Sequence, residues 1–164
     1  MADRYDEELT LEIACKIADA AVCAAKSKNM NVSVAVIDRS GNIITMQRMD
    51  KCLPMGYPKF AIAKANTCVT LNCSSREFRD KYAMDASQPA KYCQLLSMSA
   101  IAGNNLAPFP GGVLISDASG NVLGAVGVSG GASDDDEFCA CYGIQQSGLV
   151  NCTTKPPING TIDI

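Results

Sequence analysis

Apolar positions from Leu9 to Ser27 recur at spacings of three and four, through Ala14, Ile17, Ala18, Ala21, Val22 and Ala25. That period places them on one stripe of a helix, and the small side chains favour close approach to a neighbour. Lys26, Ser27, Lys28 and Asn29 follow, a cationic, turn-prone end that suits a helix C-terminus. The pattern then changes. The run from Val32 to Ile37 and the run from Ile43 to Met49 flank Asp38-Arg39-Ser40-Gly41-Asn42, while Val113 to Ser116 and Val122 to Val128 flank Asp117-Ala118-Ser119-Gly120-Asn121. In each pentapeptide the glycine is free to take the positive φ that a tight hairpin loop needs. The chain thus carries one hairpin pattern twice. With helical sequence before, between and after, the two hairpins predict an α+β fold: an antiparallel sheet of about five strands, flanked by helices.

Between the hairpins, Asp50 to Pro58 is irregular, with two prolines and a glycine, and Pro58 is placed to open a helix that runs to about Cys73. Ser74-Ser-Arg-Glu77 has the spacing of a capping box and predicts a short helix ending between Tyr82 and Met84. Gln88 to Ala102 reads as another helix, stopped by Gly103. Two prolines and two glycines between Leu106 and Gly112 predict a loop. Ser133 is expected to cap a last helix, whose first turn Asp134-Asp-Asp-Glu137 complements the helix dipole and which ends before Gly148. Residues 1–150 read as one domain and 151–164 as a C-terminal extension.

Composition removes several function classes. The net charge of −3 and the lack of a basic run leave no footprint for nucleic acid or an anionic membrane surface. A charged start and the absence of a long apolar run point to a soluble, cytoplasmic protein. The nine cysteines are odd in number and mostly in helical contexts, which predicts reduced thiols. Cys52, in the irregular loop, is the thiol expected to be most exposed. No Cys-x-x-Cys pair exists, so a metal site is not expected. The chain also contains no histidine, which excludes Ser-His and Cys-His nucleophile pairs and leaves acid-base work to Asp, Glu, Lys, Tyr or a thiolate.

Within those limits, Arg48, Asp50 and Lys64 are the catalytic candidates. Arg48 suits a bidentate grip on a substrate carboxylate, or else a structural ion pair with Asp50. Lys64 and Thr67 lie about one turn apart on the second helix, with surface ion pairing the alternative for Lys64. Tyr57 is placed either to stack on a planar ligand or to pack. Phe109, Pro110, Gly111 and Gly112 form a rigid pocket wall or a corner into the sheet. Gly130 and Gly131 precede a helix N-terminus whose backbone N–H groups suit an anion, although the acidic first turn favours packing and capping instead.

The segments Val34-Ala-Val-Ile-Asp38, Arg48-Met-Asp50, Ala63-Lys-Ala-Asn-Thr67, Pro108-Phe-Pro-Gly-Gly112, Gly127-Val-Ser-Gly-Gly131 and Asp135-Asp-Glu137 occur in this order. Over roughly residues 9 to 148 the chain resembles the GlcG/HbpS-like, haem-degrading-domain family, which includes the C-terminal domain of PduO-type proteins. The resemblance implies a profilin/PAS-like fold that forms dimers and often octamers, with haem as the ligand of several members. Haem binding here would have to ligate iron through a thiolate, Met, Tyr, Lys or a Thr oxygen. Two functions follow as expectations. One is a small-molecule-binding protein for haem or a similar planar ligand, with its pocket formed by the 50–58 loop, the start of the second helix and the Phe-Pro-Gly-Gly loop, near a subunit interface. The other is a cofactor-independent isomerase, cyclase or lyase acting on a small metabolite.

Overall fold

A computed structural model describes residues 8–82 and 87–148, together with the backbone of 151–152. The first helix, α1 (Leu11–Ser27), begins where the Thr10 hydroxyl accepts the Ile13 N–H at 3.2 Å. Its small-residue stripe is buried as the spacing predicts, with Val22 only half-buried at its margin. Strands β1 (Ser33–Asp38) and β2 (Ile43–Arg48) form the first hairpin, and β3 (Gly112–Ser116) and β4 (Val122–Ser129) the second. Asn151–Cys152 adds a two-residue strand, β5, beside β3. The sheet order is β2-β1-β4-β3-β5, so the hairpins join through the antiparallel β1–β4 pair, Ser33 opposite Ser129 and Asp38 opposite Gly124.

The two hairpin turns are built alike. The Asp38 carboxylate accepts the Ser40 and Asn42 N–H groups at 2.8 and 2.9 Å and the Asn42 side-chain amide at 2.9 Å. Asp117 does the same with Ser119 and Asn121, at 2.8, 2.8 and 2.7 Å. Gly41 and Gly120 sit at φ +87° and +86°, which an L side chain adopts only with strain.

One face of the sheet is covered by α1 and by α5 (Ser133–Ser147); Val34, Val36, Val113, Ile115, Val126 and Val128 point into that core. The other face is covered by α2 (Pro58–Leu71), above Ile37, Leu114 and Ala125. There the sheet presents glycine rather than a side chain. A Cβ on Gly127 would stand 2.8 Å from Ala65 N and inside the radius of Ala61 O, and one on Gly112 would stand 2.9 Å from Cys68 Sγ. Helix α2 therefore lies backbone-to-backbone on the sheet, and only glycine permits that approach.

Helices α3 (Ser75–Tyr82) and α4 (Pro89–Ile101) form a satellite core around Phe78, Leu95 and Leu106. The expected capping box closes α3: Ser74 N–H donates to Glu77 Oε2 at 2.6 Å and Glu77 N–H to Ser74 Oγ at 3.1 Å. Two boundaries differ from expectation. Gly112 belongs to β3 rather than to the loop before it. Ala132, not Ser133, occupies the N-cap of α5, and Ser133 starts the helix.

Candidate functional site

Strand β2 ends at Arg48 and the chain turns through Met49, Asp50 and Lys51, with Lys51 held at φ +57°. Opposite it stands the last part of α1, with Val22 and Lys26. These residues, with Asn31 and Gln47, line an open cleft of about 540 Å3. Its walls are fixed. Met49 N–H donates to Val32 O at 3.0 Å, Met49 Sδ accepts the Val32 N–H at 3.3 Å, and Gln47 Nε2 donates to Asp19 Oδ1 at 2.7 Å. Three cations, Lys26, Arg48 and Lys51, meet one carboxylate, Asp50, and none of the four enters an ion pair among the described residues. Net positive charge beside Val22 and Met49 suits a ligand with an apolar body and anionic oxygens.

Lys64 is elsewhere. It is buried between α2 and α5, where Nζ donates to Asp136 Oδ2 at 2.8 Å and to Val128 O at 2.9 Å. Asp136 Oδ1 accepts the Gly131 N–H at 2.8 Å. Burial lowers the proton affinity of Lys64 and raises that of Asp136, against the pull of each on the other. The remaining acids of the first turn of α5 tie down two further elements. Asp134 pairs with Arg76 of α3, Asp135 with Lys28 after α1 at 2.8 Å, and Glu137 Oε2 with Arg76 Nε at 2.7 Å. Glu137 is fully buried, its Oε1 has no partner among the described residues, and burial raises its proton affinity. The dipole of α5 is thus answered by the protein's own carboxylates, and Gly130 and Gly131 lie in that internal network.

The Phe-Pro-Gly-Gly segment is pinned to helices. Thr67 Oγ1 accepts the Ala107 N–H at 2.8 Å and donates to Ala63 O at 2.8 Å. Ser75 Oγ accepts the Gly112 N–H at 2.8 Å and donates to Phe109 O at 2.6 Å. Pro110, Gly111 and Gly112 are buried, while the Phe109 ring is 45% exposed. Tyr57 is 52% exposed and meets Phe60 edge-on, in a loop held by Ser33 Oγ on Gly56 O and Ser129 Oγ on Met55 O, at 2.5 and 2.6 Å.

Of the expected site residues, the cleft unites Arg48 and Asp50 and leaves out Lys64, Thr67, Tyr57 and the Phe-Pro-Gly-Gly group. Lys64 and Thr67 lie on α2, against the sheet face opposite α1, because α2 packs there on Gly127. Sequence reasoning missed Lys26, Asn31 and Gln47 as lining residues and reached Lys51 only as part of the 50–58 loop; Lys26 was legible only as a helix-end cation. Cys52 corrects an expectation: it is half-buried and donates to Met49 O at 3.1 Å, while Cys23 and Cys93, on helix surfaces, are the exposed thiols among the described residues. Among the described residues no cluster of three metal-ligating side chains occurs, and no helix is long and apolar enough to cross a membrane.

Residues 9–145 match the family model described as haem degrading protein HbpS-like. An uncharacterized 15.0 kDa protein from the dhaT-dhaS intergenic region of Citrobacter freundii is 33% identical over 132 residues, covering 80% of this chain and 87% of that protein. A double mutant of Streptomyces reticuli HbpS superposes with a TM-score of 0.71 at 33% identity, covering 85% of this chain and 87% of the other. A PduOC–haem complex superposes with a TM-score of 0.74 at 24% identity, covering 85% and 95%, a likeness of fold.

Proposed function

Because this chain belongs to the haem-degrading HbpS-like family, we propose that it binds a planar, anionic small molecule of the haem class in the cleft between α1 and β2. The observation that carries this reading is the trio Lys26, Arg48 and Lys51, free of internal ion pairs and set beside Val22 and Met49. The cations receive carboxylates and the two apolar side chains lie against the ring edge. The donor set fits a tetrapyrrole's carboxylates. For iron it offers the amines of Lys26 and Lys51 and the Asp50 carboxylate, since the chain has no histidine and Met49 Sδ already accepts an N–H. Haem, when bound, supplies redox chemistry at its iron; the residues of the cleft hold its carboxylates.

Titration with haemin, followed at the Soret band, tests this directly. Saturable binding is expected, weakened about tenfold for each of Arg48→Ala and Lys51→Ala, the low end for a charge-assisted bond because the cleft is open to water. Metal-free protoporphyrin is expected to compete, as recognition rests on cations rather than on iron. A Soret band unchanged by the protein, or affinities unchanged in both variants, would refute the assignment.

A second reading, a cofactor-independent isomerase, cyclase or lyase, draws on the buried Glu137 carboxyl with its unpartnered Oε1. It requires that Glu137→Gln abolish a turnover while leaving the melting temperature in place. We extend the first reading to self-association through α4, which exposes Tyr92, Leu96 and Ile101, the last 87% accessible. Native mass spectrometry should show an oligomer, a dimer or an octamer, that Leu96→Asp reduces to smaller species.

A further inference from the structure

A second cleft, of about 290 Å3, opens between the turn of the first hairpin and the C-terminal ends of α2 and α4. Arg39 lines it from the turn, Asn66, Val69 and Thr70 from α2, and Asn105 and Leu106 from the segment after α4. None of these residues belongs to the cleft that holds Arg48.

Arg39 is an exposed cation at that turn. No ion pair among the described residues includes it, and the adjacent Asp38 carboxylate is occupied by Ser40 and Asn42. The turn itself does not require it, because the second hairpin closes identically with Ala118 at the matching position.

The opposite wall carries the other sign. Val69 and Thr70 lie in the last turn of α2, and Asn105 and Leu106 follow closely on the end of α4. Neither helix has a basic residue in its last turn. The C-caps of α1, α4 and α5 return a backbone N–H to the helix, and that of α2 returns none. A helix C-terminus carries the equivalent of about half a negative charge, and residues at or just beyond both ends line the same cleft as Arg39. The side chains of Asn66, Thr70 and Asn105 make no hydrogen bond to other described residues and supply both donors and acceptors to the space. Val69 and Leu106 give it an apolar floor.

A cleft with a cation on one side and negative helix ends on the other is poorly matched to a lone anion or a lone amine. We infer that it binds a small zwitterion of the free α-amino acid class. The carboxylate meets Arg39, the ammonium faces the helix ends and the side-chain oxygens of Asn66 and Asn105, and a short side chain lies on Val69 and Leu106. The volume, at the low end for ligand pockets, fits a molecule of that size.

The test is a titration of 15N-labelled full-length protein with L-alanine, followed by amide chemical shifts. Propionate and ethylamine, which each keep one of the two charges, are titrated in parallel. L-Alanine is expected to shift the amides of residues 39–41, 66–70 and 102–106 with a Kd of about 1 mM, the scale for so few ligand atoms. Propionate and ethylamine should bind at least about tenfold more weakly. Arg39→Ala should abolish the shifts, and it is expected to fold because the second hairpin already has alanine there. Asn66→Ala should weaken binding with the hairpin untouched. Shifts absent up to about 20 mM L-alanine, propionate binding as tightly as L-alanine, or full binding in Arg39→Ala would each overturn the assignment. Haemin binding at the other cleft is read separately and is expected to be the same in Arg39→Ala.

Discussion

Replacing Lys64 with methionine removes one partner of an ion pair whose two side chains are each 3% exposed. The aliphatic stem is largely retained, so the perturbation is chiefly the loss of the ammonium. Asp136 then keeps backbone N–H partners alone, Gly131 at 2.8 Å and its neighbour Gly130, and Val128 O loses its 2.9 Å donor. Leaving one charge of a buried pair uncompensated costs about 3–5 kcal/mol. At 2–4 °C per kcal/mol for a chain of this size, that is a melting temperature lower by roughly 10 °C. The deficit depends on pH in a definite direction. Burial already raises the proton affinity of Asp136, and removing Lys64 raises it further. A carboxyl whose folded pKa lies above its unfolded value binds more protons when folded. The variant therefore loses stability as pH rises from the ordinary value of 3.8 through the folded pKa, and keeps the loss above it. Urea denaturation should thus show a smaller difference from wild type near about pH 5 than near about pH 8. The neutral double variant Lys64→Met/Asp136→Asn should recover most of the loss, because no charge is then buried alone. A deficit under about 1 kcal/mol, one independent of pH, or a double variant no better than the single one would refute the reasoning.

Three further outcomes are expected. Gly127→Ala forces a methyl into the backbone of α2 at Ala61 and should cost several kcal/mol or prevent folding, whereas Gly120→Ala, with nothing within 4 Å, should cost about 1 kcal/mol for its left-handed φ. Chemical denaturation separates the two. Iodoacetamide followed by mass spectrometry should label Cys23 before Cys68 and Cys139, which stay protected, since burial raises the Cys68 thiol well above its ordinary value and pushes Cys139 up to about 12. The Asn121 side-chain amide, with backbone N–H groups, holds Asp117 below its ordinary 3.8. The stability it contributes is present above that value and is lost as pH falls through the folded pKa, so NMR titration should place its midpoint lower in wild type than in Asn121→Ala.

The sequence by itself determined the elements. A period of three and four on α1, the duplicated Asp-x-Ser-Gly-Asn turn, the Ser-x-x-Glu box before α3 and the proline at the start of α2 are local signals. Each is set by backbone geometry within a few residues, so each is legible without the fold. What lies across the sheet is not. That α2 rests on glycines of β3 and β4 decides that Lys64 is buried against Asp136 rather than presented beside Arg48, and no periodicity within α2 distinguishes the two. The run Asp134 to Glu137 reads locally as dipole compensation, yet all four of its carboxylates answer cations on three other elements: α3, the end of α1 and α2. The cleft with Lys26, Arg48 and Lys51 likewise exists only because the end of α1 meets the end of β2. Local patterning fixes where chain segments bend and which side they bury; which charges come within reach of one another is set by long-range packing.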